Sequence, residues 1–382
     1  MKYFKMVNAT SDNSDEKDFW ENAETQFEEK APDFSKTLNI AVIGKVSSGK
    51  SSLLNALLKQ SRKQAIAKVG AEAGVTTTLK VFRLDERVRL IDSPGLDDVR
   101  AENSEITRDF LKHIDVGILV VTGVADASQK KYLDDLRKHC DSVFVVLNKI
   151  DEWDRLSPSA LEKVIAQWKE KLKIEKIYPV CAFGYDADTP PGTPLDIHGV
   201  YWLREDIENF LGSKGKDLLL ARHMGEKKSY AIGIIAAALV AVAVQAFIPG
   251  SAAYITATQA AAIVSLSYLY IGEILSSKAA FALLPAFASE AVASTLFLWV
   301  KSFLPPTGVF DVAAAVVAVS ITLAILATVN SMLASGAKLE EEELLKSKFR
   351  SYRKQAETAL KGLALTDMKD LMSWKGVIEK FL

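Results

Sequence analysis

The sequence of 382 residues predicts two domains: an α/β domain with a mostly parallel sheet and helices on both faces, and an all-α, largely hydrophobic helical domain. Two observations support this prediction. Between Leu38 and about Leu211, apolar β-type runs alternate with amphipathic helical stretches. Beyond this region the composition changes, and residues 229–272 contain no Asp, Glu, Lys or Arg. We therefore expect a sheet covered by helices, followed by a group of apolar helices.

Composition divides the chain into five segments. The N-terminal helix has Phe19, Trp20 and Phe27 on one face, which needs a partner surface. The C-terminal half is predicted to form the helical domain together with this helix. The predicted segments are a mobile polar tail (1–15), an N-terminal helix that packs on the helical domain (16–37), the α/β domain (38–215), hydrophobic helical hairpins (216–338) and amphipathic C-terminal helices (339–382).

Net charge and cysteine content argue against several classes of protein. Lys+Arg 47 and Asp+Glu 48 nearly balance, so no overall charge attracts the chain to nucleic acid. Cys140 and Cys181 have no Cys or His neighbour at metal-ligand spacing, which argues against a zinc site and favours a reducing compartment. The first residues lack the apolar stretch of a secretory signal. We expect a cytoplasmic α/β domain without a nucleic-acid partner.

A glycine-rich loop follows the first predicted strand. The stretch GKVSSGKS satisfies G-x-x-x-x-G-K-[ST], and it lies between the strand NIAVI and the helix SLLNALLKQ. In such a loop, backbone N–H groups surround a β-phosphate, the lysine reaches the β/γ oxygens, and the serine hydroxyl binds Mg²⁺. The predicted nucleotide contacts are Gly44, Lys45, Val46, Ser47, Ser48, Gly49, Lys50, Ser51 and Ser52.

A second motif ends the strand in RLIDSPGLDD. The carboxylate of Asp92 would hold Mg²⁺ through water, and the N–H of Gly95 would touch a γ-phosphate. The preceding stretch VFRLDERVRLI is predicted to be the one antiparallel hairpin of the sheet.

Two more motifs select the base. FVVLNKIDEW ends a strand with Asn148, Lys149 and Asp151. The aspartate can accept two N–H bonds from a guanine edge, which adenine cannot offer, while the lysine stem covers the base and Asn148 joins this loop to the phosphate loop. IYPVCAF is predicted to be one strand that ends with Cys181 and Ala182, whose N–H would meet guanine O6. The motifs predict GTP rather than ATP.

In this order the motifs resemble the five G motifs of the Era-like and dynamin-like P-loop GTPases, over about Leu38 to Leu211. The resemblance implies GTP/GDP and Mg²⁺ as ligands and GTP hydrolysis as the activity. It implies that GVTTTLKVF is switch I, in which Thr77, with Thr76 and Thr78 as alternatives in register, closes on Mg²⁺ and the γ-phosphate. Its assignments are Ser47, Lys50, Thr77 and Gly95 for catalysis, and Ser51, Thr77 and Asp92 for the metal.

The phosphate loop is most similar to dynamin-like versions. This similarity implies that Ser47 helps to position the attacking water and a monovalent cation. Ras-type enzymes have a glutamine after Asp-x-x-Gly, whereas this chain has Leu96, which cannot orient water. We therefore expect slow turnover alone, stimulated when G domains pair as a homodimer or oligomer.

The apolar half is predicted to form two helical hairpins. Pro249-Gly250 and Pro305-Pro306 separate its pieces, and residues 312–337 also lack charge. Either the helices contact a membrane, since their lengths match the about 20 residues that cross a bilayer, or they pack as a bundle. The predicted pieces are SYAIGIIAAALVAVAVQAF, ATQAAAIVSLSYLYIGEIL, AAFALLPAFASEAVASTLFLWV and DVAAAVVAVSITLAILATVNSML.

This half is similar to a hydrophobic helical domain of unknown function that is fused to Era-like GTPases in bacteria. The whole arrangement also resembles immunity-related GTPases and bacterial dynamin-like proteins. The leading hypothesis is a membrane-associated GTPase with its G domain on the cytoplasmic face. Such a protein would assemble on a membrane and tether or remodel it. The alternative is a soluble switch whose apolar helices form a packed bundle for self-assembly. The basic stretch 346–354 either meets anionic lipid or is a solvated helix face.

Overall fold

The computed structural model describes residues 13–66, 80–93, 113–154, 158–185, 189–190, 192–248, 251–290, 309–360 and 368–382. The chain divides into two compact units. One unit is Ser35–Glu226, and the other combines Met1–Phe34 with Lys227–Leu382. The first unit extends past the stretch 212–216 at which the composition changes, because the segment up to Glu226 packs against the α/β fold.

The described strands are β1 (Leu38–Ile43), β2 (Lys80–Arg83), β3 (Val88–Ser93), β4 (Ile114–Val121), β5 (Cys140–Leu147), β6 (Tyr178–Pro179), β7 (Cys181–Phe183) and β8 (Asp196–His198). The described helices are α1 (Asn13–Lys30), α2 (Lys50–Leu57), α3 (Lys130–His139), α4 (Asp151–Asp154), α5 (Pro158–Leu172), α6 (Val200–Ser213), α7 (Asp217–Ala221), α8 (Lys228–Gln245), α9 (Ser251–Ile271), α10 (Ser277–Glu290), α11 (Val309–Ala334), α12 (Glu342–Ala359) and α13 (Leu371–Glu379).

The main sheet has the order β2-β3-β1-β4-β5-β6. All its pairings are parallel except β2 with β3, which are the two strands of the predicted hairpin VFRLDERVRLI. The inner strands β1 and β4 are buried along their whole length, which explains their continuous apolar sequences. The predicted mostly parallel sheet is confirmed.

The predicted strand IYPVCAF is two strands, so that prediction is wrong. Tyr178–Pro179 forms the edge of the main sheet, whereas Cys181–Phe183 pairs antiparallel with β8. Val180 lies between them, and its N–H donates to Leu147 O at 2.8 Å. Pro179 has no N–H with which to continue the ladder, and the chain leaves the main sheet beyond it.

Helices cover both faces of the main sheet, as predicted. On one face, α3 and α5 contribute Leu133, Leu136, Trp168 and Leu172 to a core with the buried strand residues. On the other face, α2, α6 and α7 pack against β1, β3 and β4. The carboxyl ends of the parallel strands therefore form an open edge at which loops carry the motif residues.

A buried charge cluster fixes the opposite, amino end of the sheet. Asp115 at the start of β4 is 1% exposed, and its carboxylate accepts a hydrogen bond from Asn39 N at 2.9 Å. Lys216 forms an ion pair with the same carboxylate. Lys36 Nζ donates to Lys214 O at 3.0 Å. The first and last parts of the unit are thus joined at this end of the sheet.

Three apolar helices, α8, α9 and α11, contact one another in the helical unit. Polar side chains link them inside the bundle. Gln245 Nε2 donates to Thr258 Oγ1 at 3.0 Å, and Gln259 Nε2 donates to Thr322 Oγ1 at 2.8 Å. These pairs satisfy buried amides and hydroxyls that would otherwise destabilise an apolar interior.

Amphipathic helices surround the apolar three. α1 packs on α9, α12 packs on α11, and α13 packs on α8. Aromatic pairs fix α1, since Phe27 lies 5.6 Å from Phe281 and Phe34 lies 4.6 Å from Tyr268 between ring centroids. In consequence α9 and α11 are 78% and 83% buried over their apolar windows, whereas α8 is only 50% buried.

The described ends of the apolar helices follow from local chemistry. α9 ends at Ile271, earlier than its predicted piece, because Gly272 has φ 83° and stops the helix. α10 contains Pro285, which cannot donate an intrahelical hydrogen bond. The second part of the third predicted piece, residues 291–300, lies outside the described residues.

Candidate functional site: the loops at the carboxyl edge of the sheet

Both glycines of GKVSSGKS stand where a side chain would collide with neighbouring atoms. A Cβ on Gly44 would lie 2.3 Å from Val120 O, and a Cβ on Gly49 would lie 2.3 Å from Asn148 Nδ2. Gly49 also has φ 81°, a left-handed conformation that glycine adopts freely, and Ser47 has φ 63°. The loop is therefore tightly wound between β1 and the start of α2.

Lys50 lies inside this loop with 2% of its surface exposed. Its Nζ donates to Gly44 O and to Lys45 O, both at 3.0 Å. The same Nζ lies 3.8 Å from Asp92 Oδ1 at the end of β3. A buried ammonium group held by two loop carbonyls, at the N-terminus of a helix, gives this end of the sheet a concentrated positive charge.

Ser51 and Asp92 meet beside Lys50. Ser51 Oγ donates to Asp92 Oδ2 at 2.5 Å, and the carboxylate is fully buried. The other carboxylate oxygen, Oδ1, is buried and has no hydrogen-bond partner among the described residues. A hydroxyl and a carboxylate oxygen that accepts no hydrogen bond are the hard oxygen donors that Mg²⁺ prefers, so the residues present fit that ion.

Asn148 joins the phosphate loop to the loop after β5. Its Nδ2 donates to Ser48 O at 2.9 Å, and its backbone N–H donates to Val121 O at 2.9 Å. The side chain is 2% exposed, and its Oδ1 has no hydrogen-bond partner among the described residues. The next residue, Lys149, has φ 63°, which turns the chain sharply towards α4. The two loops thus form one connected surface.

Asp151 and Cys181 lie in contact. Cys181 Sγ lies 3.3 Å from Asp151 Oδ1 and 3.2 Å from Asp196 O, and its single S–H donates to one of these two acceptors at a time. Burial raises the pKa of the Cys181 thiol to about 12, so it stays protonated and remains a donor at neutral pH. Ala182 follows in β7 and is 5% exposed. The structure therefore brings NKID and CA together from separate parts of the sequence.

The β7 and β8 pairing also gathers possible metal ligands that sequence spacing did not reveal. Cys181 Sγ, a carboxylate oxygen of Asp196 and a ring nitrogen of His198 all lie within 4.8 Å of one another. His198 Nδ1 lies 2.9 Å from Asp196 Oδ1. With the thiol protonated, the three groups form a hydrogen-bonded cluster behind Asp151.

Sequence reasoning missed Asp126, which pairs with the phosphate loop. Lys45 Nζ forms an ion pair with the Asp126 carboxylate, and Ser128 N donates to it at 2.9 Å. The hydrogen bond from Lys45 is the main cause that lowers the pKa of Asp126 to about 2. Asp126 does not belong to a recognisable sequence motif. The one signal in the sequence is its position shortly after a strand that ends at this edge.

Arg204 was also missed, and it caps the far end of α2. Its Nε donates to Leu57 O at 2.8 Å and its Nη2 donates to Ala56 O at 2.7 Å. A guanidinium group satisfies free carbonyls at a helix C-terminus and favours the negative end of its dipole. The helix that begins in the phosphate loop is therefore anchored at both ends.

The segment that leads into the helical unit is bound to the same end of α2. Gly225 N donates to Leu58 O at 2.8 Å, and Gln60 Nε2 donates to His223 O at 2.8 Å. A Cβ on Gly225 would lie 2.2 Å from Lys59 O, so only glycine allows this approach. We call residues 223–226 the connector. It directly precedes Lys227 at the start of the helical unit.

The two predicted switch segments cannot be placed. Thr77, with its neighbours Thr76 and Thr78, and Gly95 with Leu96 lie outside the described residues. The other predicted contacts, from Gly44 to Ser52 and at Asp92, Asn148, Lys149, Asp151, Cys181 and Ala182, all lie in loops or element ends at the carboxyl edge.

Comparison with known proteins relates the segment that carries most of these loops to a protein family. Residues 39–149 match the family described as 50S ribosome-binding GTPase, a segment that runs from β1 to Lys149 and contains the loop, Asp92 and Asn148. This segment is a P-loop GTPase domain. The unit Ser35–Glu226 is called the GTPase domain below.

The chain matches the curated relatives only over part of their length. GTPase Der of Nitratiruptor sp. is 28% identical over 163 residues, which are 40% of this chain and 34% of that protein. The nuclear GTP-binding protein NUG1 of Saccharomyces cerevisiae is 44% identical over 62 residues, 16% of this chain and 12% of that protein. The probable GTP-binding protein EngB of Caulobacter vibrioides is 30% identical over 148 residues, 35% of this chain and 60% of that protein.

Two solved structures are similar at low scores. A probable GTP-binding protein engB has 18% identity and a TM-score of 0.30, covering 46% of this chain and 99% of that chain. The G domain of the T. maritima FeoB iron transporter has 19% identity and a TM-score of 0.25, covering 46% of this chain and 98% of that chain.

Proposed function

We propose that this protein binds GTP and GDP with Mg²⁺ and hydrolyses GTP to GDP and phosphate. The observation that carries the proposal is the arrangement of Ser51 and Asp92, 2.5 Å apart and beside the buried Lys50 in a loop that Asn148 holds in place. These residues supply a metal site and a positive charge at the N-terminus of one helix. The family to which residues 39–149 belong supports the proposal.

The chain's own residues divide the work as follows. Lys50 would place its ammonium group on the β- and γ-phosphate oxygens, while the loop N–H groups hold the β-phosphate. Ser51 and Asp92 would hold Mg²⁺, together with Thr77. When bound, Mg²⁺ neutralises charge that develops on the phosphate oxygens as the γ-phosphoryl group leaves. Gly95 would contact the γ-phosphate, and Ser47 would orient the water and a monovalent cation.

Guanine selection rests on Asp151. Its carboxylate would accept two N–H bonds from the guanine edge, and the Cys181 thiol fixes one carboxylate oxygen from behind. Lys149 would cover the base plane with its stem, and Ala182 N–H would meet the O6 atom. Adenine presents no matching pair of donors, so we expect GTP to be selected over ATP.

A lysine variant tests this chemistry. Lys50→Ala should abolish GTP hydrolysis and weaken GTP binding strongly, since Lys45, the other lysine of the loop, is exposed and pairs with Asp126. The matched control is Lys171→Ala, which removes an exposed lysine of α5 on the same domain. Equal hydrolysis rates for the two variants would exclude the proposed role of Lys50.

Turnover should be slow for the isolated chain and faster when GTPase domains pair. Leu96 has no polar group to orient the water, and a second domain would complete the site. The specific activity should therefore rise with protein concentration and with assembly. A low rate per molecule that stays constant from dilute to concentrated protein would rule out activation by pairing.

We further propose that the nucleotide state reaches the helical unit through α2 and the connector. α2 begins at Lys50, and its far end is hydrogen-bonded to Gly225 and His223. A shift of α2 on nucleotide exchange would move the residues that lead into α8. Hydrogen exchange of residues 222–230 should differ between the GDP-bound and GTP-analogue-bound protein, and identical exchange would contradict this route.

Membrane association is the proposed output of the helical unit. Among the described residues, three helices are long and apolar enough to cross a membrane: Lys228–Gln245, Ser251–Ile271 and Ala315–Ala334. Cations at 222, 227 and 228 and at 338 flank the region, which favours a GTPase domain on the cytoplasmic face. Assembly, tethering or remodelling of a membrane would be the function.

The burial of α9 and α11 favours the alternative, a soluble switch whose packed bundle serves self-assembly. Fractionation separates the two hypotheses. A membrane-associated protein pellets with membranes, whether or not carbonate then extracts it. A protein that stays in the supernatant and elutes as an oligomer supports the alternative.

We propose no nucleic-acid partner. The family that matches residues 39–149 is described as ribosome-binding. After Glu226, however, residues 229–272 and 312–337 carry no charge, and the basic stretch 346–354 is too short to be a basic domain of the kind that RNA binding needs. Strong retention of RNA or ribosomes by the purified protein would contradict this proposal.

A further inference from the structure

The short ribbon of β7 and β8 is separate from the main sheet and has three paired positions. In it Cys181 lies opposite His198, and Phe183 lies opposite Asp196. Because side chains alternate between the two faces of a strand, Cys181, Asp196 and His198 belong to the same face of the ribbon. We call these three residues the ribbon cluster. Sequence spacing did not reveal it, since its members come from two strands.

The polar atoms of the ribbon cluster lie close to one another. Cys181 Sγ, a carboxylate oxygen of Asp196 and a ring nitrogen of His198 are all within 4.8 Å of one another. The distance from His198 Nδ1 to Asp196 Oδ1 is 2.9 Å. A tetrahedral zinc ion with the usual bond lengths separates its sulfur, nitrogen and oxygen ligands by about 3.3–3.6 Å. Small rotations of the side chains therefore suffice to place the three atoms around one ion.

The types of donor in the ribbon cluster identify the ion. A thiolate, an imidazole nitrogen and a carboxylate oxygen form a mixed set that Zn²⁺ binds, whereas Mg²⁺ and Ca²⁺ prefer oxygen ligands. The thiolate and the carboxylate each carry a negative charge, so a divalent cation leaves the cluster neutral. Three protein ligands leave the fourth tetrahedral position to a water molecule.

The ribbon cluster is buried on one side and open to solvent on the other. Cys181 is fully buried, whereas the side chains of His198 and Asp196 are 43% and 50% exposed. An ion can therefore enter from solvent through the imidazole and the carboxylate. The buried surroundings of the sulfur strengthen its attraction to a cation.

A second group of possible ligands lacks these properties. His113, Asp115 and Asp141 also lie within reach of one another. The buried Asp115 carboxylate already pairs with the ammonium group of Lys216, and this group of residues contains no sulfur. In the part of the chain that the structure describes, no lysine or arginine pairs with Asp196 in the same way. The ribbon cluster is therefore the better cation site of the two.

We infer that the ribbon cluster, Cys181, Asp196 and His198, binds one Zn²⁺ ion, which links β7 to β8. On binding, a Zn–S bond replaces the S–H bond of Cys181, and the displaced proton passes to solvent. The ion stabilises a two-stranded ribbon, which is only marginally stable by its own hydrogen bonds. The site requires no nucleotide, so this inference goes beyond the proposed function and can fail separately from it.

Cobalt absorption of the full, untagged chain tests the inference. Co²⁺ that replaces Zn²⁺ beside a thiolate gives a sulfur-to-metal charge-transfer band in the near ultraviolet, which oxygen and nitrogen ligands do not give. The metal-free protein should bind one equivalent of Co²⁺ with this band. An equimolar amount of Zn²⁺ should remove the band, because Zn²⁺ binds such ligands more tightly, and an excess of Mg²⁺ should leave it unchanged.

Variants identify the ligands. C181S and H198A should lose the band and bind Zn²⁺ at least about tenfold more weakly, as measured by competition with a chromogenic chelator. D196N should weaken Zn²⁺ binding by a similar factor. The matched control is C140S, which changes the other cysteine of the chain and should keep both the band and the affinity. Circular dichroism shows whether each variant folds, and H198A and D196N, which change partly exposed side chains, decide the outcome if C181S does not fold.

The possible results are distinct. A wild type without the band, or an H198A variant that keeps the band and the wild-type affinity, would overturn the zinc site. Loss of the band in C140S would place the metal at Cys140 and would also overturn it. If the wild type binds Zn²⁺ but neither GTP nor GDP, the zinc site stands and the proposed nucleotide function is wrong. If it binds nucleotide but gives no band, the reverse holds.

Discussion

At the scale of single residues, the nucleotide site depends on pairs that fix one another. Ser51 with Asp92, Asn148 with Ser48, and Cys181 with Asp151 each join two loops by one hydrogen bond. In each pair the side chain that would meet the ligand is held in place by a partner from another strand end. Such mutual positioning lowers the conformational entropy lost on binding.

Asp151→Asn should exchange the preferred base. The variant loses two hydrogen bonds to a charged acceptor, each about 1.5–3 kcal/mol, so GTP affinity should fall by about 100-fold or more. An amide can donate to the carbonyl that xanthine carries at C2, so XTP should bind better to the variant than to the wild type. Titration with a fluorescent GTP analogue and with unlabelled XTP as competitor measures both changes.

The control for this variant is Glu152→Gln, which changes the neighbouring, exposed residue of the same short helix. It should bind GTP as the wild type does. Unchanged GTP affinity in Asp151→Asn would show that the carboxylate does not contact the base.

Residues adjacent in sequence were predictable, and residues that meet only in the fold were not. The phosphate loop was evident because Gly44 to Ser51 are contiguous and each has a defined role. Asp92 was predicted because it belongs to the contiguous motif RLIDSPGLDD at the end of an apolar strand. Arg204 and Asp126 left no signal, since a lone arginine in a helix and a lone aspartate in a loop are common, and their partners lie far away in the chain. The sequence gives no signal for the role of Gly225 either, because that role depends on the close approach of Lys59 O in the fold.

At the scale of elements, the far end of α2 and the connector are joined by hydrogen bonds, which is the contact on which the proposed coupling rests. Arg204 caps the end of α2, and Gly225 binds the carbonyl of Leu58. His223 extends the contact to the turn between β2 and β3, where its Nε2 lies 2.8 Å from Asp85 Oδ2. The connector is thus held by two elements of the GTPase domain.

Gly225→Ala should destabilise the protein and weaken this link. Its new methyl group would lie 2.2 Å from Lys59 O, so the backbone must shift at a cost of about 1–3 kcal/mol. Gly233→Ala is the matched control, because its methyl group meets no described atom within 4 Å and should raise helix stability by up to about 1 kcal/mol. Urea unfolding measures both. Equal stability of the two variants would contradict the tight approach at Gly225.

Asp85 should make the stability of the GTPase domain fall in acid. Burial raises the pKa of Asp85, but hydrogen bonds from His223 and from the N–H groups of Arg87 and Val88 outweigh it and lower the pKa from 3.8 to about 2. Because the folded pKa is lowered, the stabilisation is present above about pH 4 and is lost as the pH falls towards 2. Its size, reduced for partial exposure, is about 1 kcal/mol.

Asp85→Asn should remove this contribution. Its unfolding free energy should lie below that of the wild type at pH 5–7 and converge with it near pH 2, as measured by urea unfolding across that range. A constant difference between the two proteins down to pH 2 would show that the Asp85 contacts do not depend on the charge.

At the scale of the whole molecule, hydropathy and packing give different views of the helical unit. The sequence shows four apolar pieces of membrane-spanning length, and by composition α8 and α11 are alike. Only the fold shows that charged helices α1 and α12 enclose α9 and α11 and leave one face of α8 open. Sequence alone could not separate a bundle from a membrane protein, because enclosure depends on helices distant in the chain.

Selective binding of a guanine nucleotide by the GTPase domain is required for every function proposed for this protein. Isothermal titration calorimetry of the full chain in magnesium buffer tests this most directly, with GTP, GDP and ATP as titrants. We predict saturable heat at one site for GTP and for GDP, none for ATP, and loss of the GTP signal in Lys50→Ala. No heat with GTP and GDP, or equal heats with GTP and ATP, would contradict selective guanine-nucleotide binding by this protein.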